Sequence, residues 1–137
     1  MNKNDIAIIE KLSFMNRMSI AAIAKESGVS RGTVRNRINA MARQGVLIGY
    51  KARLRYYLLN MSEAIVGFDI APESYIAAVD ALKKQESVKE LYTTSGDHTA
   101  IAVVVSSRDE MDSTIKRLAS VEGVKNVYPA IVTEIAK

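Results

Sequence analysis

The stretch Ser30-Arg31-Gly32-Thr33-Val34-Arg35-Asn36-Arg37-Ile38-Asn39-Ala40-Met41-Ala42-Arg43 decides how the rest of the chain is read. It holds four arginines and no acidic residue. Ser30 is a good N-cap, since its hydroxyl can accept from an N–H of the first turn. Val34, Ile38 and Met41 follow at the i, i+4, i+7 spacing of one buried helical stripe. A step of ~100° per residue then puts Gly32, Arg35, Asn36 and Asn39 opposite or beside that stripe. A helix that shows Arg and Asn to solvent carries the donor forks that read guanine and adenine edges in a major groove. The same pattern also fits a merely solvated charged face, and the residues upstream separate the two.

Residues 4–12 place Ile6, Ile8, Ile9 and Leu12 on an amphipathic helix, with Asn4 or Asp5 as its cap. Asn16-Arg17-Met18 breaks the pattern. Ser19 then caps a second helix over residues 20–26, with Ile20, Ala21, Ile23 and Ala24 inward. In Ser27-Gly28-Val29 the glycine stands where a left-handed residue ends a helix. A short helix, a glycine turn and a basic helix predict a helix-turn-helix, a DNA-binding domain over residues 1–49. Its expected DNA contacts are Ser30, Arg31, Gly32, Thr33, Arg35, Asn36 and Asn39. The third helix ends at Gln44-Gly45, and residues 46–48 and 52–59 read as extended. Residues 50–60 are therefore expected to form a β-rich linker or a wing. On such a strand Arg53 and Arg55 share the face opposite Leu54, as further DNA contacts or as a solvated edge.

From Ser62 onward the chain repeats itself at an offset of 36 residues. Val88-Lys89-Glu90-Leu91-Tyr92 is answered by Val124-Lys125-Asn126-Val127-Tyr128, Leu82 by Leu118 and Ile65 by Ile101. Each half reads strand (64–70, 99–105), helix (73–85, 109–120), strand (88–94, 124–135). Two βαβ units in tandem predict a ferredoxin-like βαββαβ sandwich over residues 61–137, with both helices on one sheet face. The fold class is thus α+β: a winged-helix-like N-terminal domain, a β linker and the sandwich. A second copy is the economical cover for the other sheet face, so a homodimer is expected. Met111, Ile115 and Leu118 read as the inner stripe of the second helix, where Met is core.

Charge divides along the same boundary. Residues 1–59 carry eleven Lys/Arg against three acids, and residues 60–137 carry eight against twelve. That asymmetry suggests a nucleic-acid-binding half joined to one with another task. The chain has no cysteine, which excludes disulfides, thiolate zinc sites and a catalytic thiol. His98 is the only histidine, and no phosphate-cradling glycine motif occurs. Neither an enzyme, a cofactor nor a metal site is expected. Without a signal-like N-terminus or a long apolar run, a cytoplasmic protein with no membrane partner is expected. One loop between the two halves, Ser95-Gly96-Asp97-His98-Thr99, gathers hydroxyls, a carboxylate and a glycine. Gly96-Asp97 is good hairpin chemistry as well, so the loop reads as a turn or as a ligand site.

Across nearly its full length the chain resembles the Lrp/AsnC family of bacterial and archaeal regulators. The matching residues begin with Asp5, Ile9, Leu12, Asn16-Arg17, Ser19, Ile23-Ala24 and Ser27-Gly28-Val29-Ser30. They continue with Thr33-Val34, Arg37-Ile38, Met41, Gly45-Val46-Leu47 and Gly49-Tyr50, then Gly96-Asp97 and Gly123-Val124. The resemblance implies a sequence-specific, DNA-binding transcriptional regulator that dimerises through its sandwich and assembles into higher homo-oligomers. It also implies an amino-acid or other small-molecule effector between dimers, near residues 95–99 with Thr133 on the final strand. Arg37 matches a structural position and is expected to reach Asp5 or Glu10. In the effector loop the family's aromatic is replaced by His98 and its second carboxylate by Thr99, which predicts weak binding of ordinary amino acids. An architectural chromatin-type protein of low specificity, or an amino-acid-sensing module acting on an enzyme, are the alternatives.

Overall fold

A computed structural model describes residues 2–14 and 19–137, which form two compact units, Met1–Ala52 and Arg53–Lys137. Among its described residues the first unit holds three helices, α1 (Lys3–Phe14), α2 (Ile20–Ser27) and α3 (Arg31–Arg43). The cap of α1 is Asn2 rather than Asn4 or Asp5. Asp5 N–H donates to Asn2 Oδ1 at 2.9 Å, and Asn2 N–H donates to Asp5 Oδ2 at 3.1 Å. This reciprocal box satisfies two of the orphan donors at the helix start. The expected break at Asn16-Arg17-Met18 lies outside the described residues.

Ser19 caps α2 by accepting from Ala22 N–H at 3.1 Å, and Gly28 ends that helix at φ 71°. A left-handed residue there turns the chain sharply enough for α3 to start at Arg31. Ile8, Ile23, Val34 and Met41 meet as the fully buried centre of the unit. Burying each of these side chains is worth about 1.5–3 kcal/mol.

The strand character expected for residues 50–60 is absent. Residues 47–55 are neither helix nor strand, and Tyr56–Leu59 closes a 3-10 turn. Extended backbone becomes a strand only where its N–H and C=O groups join a ladder. No described segment of this chain pairs with it.

The second unit runs β1 (Met61–Ile70), α4 (Tyr75–Lys83), β2 (Val88–Thr93), β3 (Ala100–Ser107), α5 (Met111–Ala119) and β4 (Val124–Ile131). The sheet order is β2-β3-β1-β4, and every neighbouring pair is antiparallel. This is the expected pair of interleaved βαβ units. Both helices are shorter than expected and are preceded by 3-10 turns at Pro72–Ser74 and Arg108–Glu110.

Alternation sends Ala64, Val66, Phe68 and Ile70 of β1 to one face, with Ala100, Ala102 and Val104 of β3 beside them. Against them pack Ala78, Leu82, Met111 and Leu118 of the helices, the core of the unit. The repeat partners Leu82 and Leu118 are both fully buried. The opposite face carries no helix. Ile65, Gly67 and Asp69 of β1 lie there beside Ile101 and Val103, with Tyr92 and Tyr128 on the two edge strands. Tyr92 and Tyr128, again repeat partners, are 53% and 49% exposed, and Ile65 is 48% exposed.

Candidate nucleic-acid interface and ligand loop

On α3 the inner stripe is Val34 and Met41, both buried, with Ile38 half-buried beside them. Arg31, Gly32, Arg35, Asn36 and Asn39 are exposed, and Thr33 is half-buried. Ser30 Oγ accepts from Thr33 N–H at 3.0 Å and shares a hydrogen bond with Thr33 Oγ1 at 2.9 Å. The two hydroxyls therefore first hold the helix start. The helical N-terminus around them suits a phosphate, since its remaining N–H groups point outward. Arg43, exposed and four residues beyond Asn39, continues the outer face. Its signal was the same helical spacing.

Arg37 leaves this face. Its Nε donates to Asp5 Oδ1 at 2.6 Å and its guanidinium NH2 to Asp5 Oδ2 at 2.8 Å. The Asp5 side chain is fully buried and that of Arg37 29% exposed. The Arg37 hydrogen bond, working against burial, brings the Asp5 carboxyl from 3.8 down to about 2. Of the four arginines, one thus fastens α3 to α1 and three face outward.

Arg53 and Arg55 are exposed but belong to the second unit, and they sit on irregular chain, not on a strand face. Arg53 donates to the Lys137 carbonyl at 3.3 Å, and Arg55 precedes the 3-10 turn. The alternation that made them one strand face does not hold here.

In the loop of residues 95–99, Ser95, Gly96 and Asp97 are exposed, with Gly96 at φ 115°. His98 and Thr99 turn inward and anchor the loop. Thr99 N–H donates to the Phe68 carbonyl at 2.9 Å, Thr99 Oγ1 accepts from Ile70 N–H at 3.3 Å, and Thr94 Oγ1 donates to the His98 carbonyl at 2.7 Å. Thr133 is not on the final strand, since β4 ends at Ile131. The last rung is Val132 N–H to the Glu63 carbonyl at 2.8 Å, near the start of β1, where the ladder runs out. The loop meets β1 at Phe68, about five residues further along, which is roughly 17 Å of strand. Within one chain, loop and Thr133 lie at opposite ends of the sheet.

The loop instead assembles with residues that pattern reading passed over. The His98 ring lies against Gly67, where an added Cβ would stand 2.7 Å from His98 Cδ2. His98 Nδ1 lies 3.3 Å from Asp69 Oδ1, and Asn126 Nδ2 donates to Asp69 Oδ2 at 3.5 Å. The ring of Tyr128, whose residue pairs with Gly67 across the sheet, is 4.8 Å from that of His98. The negative charge of Asp69, together with a hydrogen bond to it and partial burial, raises the Tyr128 phenol above 10. A register shift between Asp69 and Ile70 falls at this corner, and such bulges re-aim side chains. The signal available in the sequence was a single glycine inside a strand, which marks close approach of another group.

A surface hollow of about 600 Å³ runs along α4 past Pro72, Tyr75, Ile76 and Val79, and holds none of these residues. Among the described residues there is no group of three or more His, Cys, Asp or Glu suited to a metal ion. No helix among them is long and apolar enough to cross a membrane.

Known proteins match both units. Residues 1–48 match the winged helix-turn-helix DNA-binding family, and residues 63–137 the Lrp/AsnC ligand binding domain. The HTH-type transcriptional regulator LrpA of Pyrococcus horikoshii is 35% identical over 139 residues, covering 99% of each chain. Among solved structures, an AsnC family transcriptional regulator from Agrobacterium tumefaciens is 25% identical with a TM-score of 0.72, covering 100% of this chain and 93% of that one. The regulator NMB0573 of Neisseria meningitidis, solved as its L-Met complex, shares the fold at 19% identity and a TM-score of 0.71, covering 100% and 92%.

Proposed function

Because this chain belongs to the Lrp/AsnC family of HTH-type transcriptional regulators, we propose that it reads a specific DNA sequence with the outer face of α3. It is a DNA-binding regulator with a ligand-binding domain; which residues act, and how copies assemble, is our reading. One observation carries it. The chain commits Arg37 to a bidentate bond with Asp5 and leaves Arg31, Arg35, Asn36 and Asn39 exposed on the helix so fastened. Arg35, Asn36 and Asn39 supply base-edge contacts, while Ser30, Arg31, Gly32 and Thr33 at the helix start approach phosphates. Arg53 and Arg55 are sequence-independent backbone contacts.

Two copies join through the helix-free sheet face around Ile65, Ile101 and Val103, and such dimers associate further. A dimer sets two α3 helices one turn apart on a palindromic site. The ligand site is the loop of residues 95–99 where it meets that sheet; the L-Met complex of the Neisseria neighbour supports a small-molecule ligand for a protein of this fold. Thr133 is left out.

The test is selection of binding sites from random DNA, followed by gel shifts over a salt series. A palindromic consensus with two half-sites is expected, and binding should weaken steeply with salt. Salt-dependent binding without any consensus would overturn the specific reading in favour of an architectural one.

A further inference from the structure

The first unit holds its own chain as far as Leu47. Val46 N–H and Leu47 N–H donate to the Met41 carbonyl at 2.9 and 3.2 Å, and Leu47 packs on the core of that unit. Residues 48–55 are neither helix nor strand. The second unit then begins its ordered structure at the 3-10 turn Tyr56–Leu59. Where the joining segment leaves that unit depends on what fastens this turn.

Four residues of 3-10 helix do not persist by themselves, and the last carbonyls of a helix find no partner inside it. Asn60 N–H donates to the Tyr56 carbonyl, which leaves the carbonyls beyond it open. Arg108 takes two of them. Its guanidinium donates to the Tyr57 carbonyl at 3.0 Å, and its backbone N–H to the Asn60 carbonyl at 3.5 Å. Among the described residues Asn60 is the only non-glycine at positive φ, 55°. Asn tolerates the left-handed region better than most residues, and it stays there only where its surroundings demand it. Arg108 itself starts from rigid structure. It follows Ser107, which faces Met61 where β1 and β3 begin to pair, and it opens the turn that leads into α5. Its side chain is exposed, so the bond to Tyr57 serves the joining segment and not the core.

We propose that Arg108 is a positioning residue for DNA recognition. By fastening the Tyr56–Leu59 turn it fixes where the tether to the DNA-binding unit leaves the sandwich, and so the half-site spacing that a dimer accepts. The inference rests on the reading of a dimer on a palindromic site, and it names the residue that sets the spacing. With the turn fastened the tether is residues 48–55, and with the turn released it runs to Asn60. At ~3.4 Å per residue the added segment lengthens each tether by up to about 17 Å, half of one ~34 Å turn of DNA. Arg53 also donates to the Lys137 carbonyl, at 3.3 Å, a longer contact that it gives up when it meets a phosphate. Arg108 has no such second task.

The test uses the full-length protein, the selected palindrome and a derivative whose centre is lengthened by about five base pairs, half a turn. The wild type should bind the lengthened site at least about tenfold more weakly in gel shifts. Arg108→Ala should bind the matched site about twofold more weakly and bring the two sites within about threefold, since effective concentration falls slowly with tether length. Base preference inside each half-site should stay as it was. Arg108→Lys keeps a cationic donor and should keep the discrimination. Arg117→Ala, on the exposed side of α5, removes the same charge and should behave as the wild type, which excludes a general loss of attraction to DNA. Hydrogen exchange of the Leu58 and Asn60 amides, bonded to the Arg55 and Tyr56 carbonyls, should quicken in Arg108→Ala but not in Arg108→Lys. Discrimination lost without quicker exchange overturns the proposal, because the turn is then not the cause. A wild type indifferent to spacing defeats the palindromic-dimer reading and this inference with it. A wild type that discriminates, beside an Arg108→Ala that discriminates equally, defeats this inference alone.

Discussion

Arg37, on the helix that carries the DNA-facing residues, holds Asp5 of the first helix through two bonds of 2.6 and 2.8 Å. Asp5 is in turn half of the box that opens α1, exchanging hydrogen bonds with Asn2. One fully buried carboxylate therefore starts one helix and docks another, so the pitch of α3 is set by a charged contact as well as by the apolar core. A buried pair of this kind is easily upset from one side, because removal of one partner leaves the other without compensation.

The first prediction follows from that carboxyl. The Arg37 bond lowers it from 3.8 to about 2 in the folded unit. A carboxyl with a lower pKa folded than unfolded contributes stability above its unfolded value and loses it as pH falls through the folded one. The helical unit should thus lose stability between about pH 4 and pH 2. Asp5→Asn should start less stable at neutral pH and show a flatter acid limb in denaturation followed by helical circular dichroism. Arg37→Ala, which strands the carboxylate, should lower the melting temperature by on the order of 10 °C. An acid limb unchanged by Asp5→Asn would place acid sensitivity elsewhere.

The second prediction separates base reading from backbone contact. Arg35→Ala should cost about 1–3 kcal/mol on the selected site and relax preference at one base position. Arg53→Ala should weaken binding to all sequences alike and reduce the salt slope by about one contact. Competition gel shifts against single-base variants of the site measure both. If Arg35→Ala leaves affinity and preference untouched, another face of α3 meets the DNA.

The third concerns the glycine under the histidine. In Gly67→Ala the new Cβ meets the His98 ring at 2.7 Å, within a strand that cannot shift without disturbing its ladders to β3 and β4. The ring must leave its seat. Overpacking of this kind costs about 1–3 kcal/mol, readable as a shifted urea midpoint, and the His98 NMR signals should move to those of a solvated ring. Unperturbed signals would mean that the strand yields instead.

The fourth concerns assembly. Residues 53–137, a compact unit with a core of its own, should form a dimer in light scattering at micromolar concentration. Ile65→Lys or Val103→Lys, on the helix-free face, should shift it to monomer, because each buries an unpaired charge at the contact. Dimers that persist in both variants would move the interface to another surface.

Much of this protein was legible in order along the chain. Ser19, Gly28 and Ser30 mark two helix starts and one helix end through bonds to residues three or four away, and such local chemistry needs no knowledge of the rest of the fold. The apolar stripe of α3 and the 36-residue repeat likewise follow from periodicity, which the core then requires. Even the outward face of α3 is a local property, because a helix fixes the angle between its own residues.

What the tertiary structure decided is everything that depends on distant partners. The segment before β1 has strand-like residues but no ladder to join, so Arg53 and Arg55 stand on irregular chain. The final strand stops where β1 runs out of rungs, which carries Thr133 away from the loop it was grouped with. The loop itself, read from its own residues, offered Asp97 as its carboxylate. Only the register of β1 against β3 and β4 brings Gly67, Asp69 and Tyr128 to His98, from positions 29 and more residues apart in sequence. Contacts of that separation are set by strand pairing, and no local pattern encodes them beyond the single glycine that leaves room for a ring.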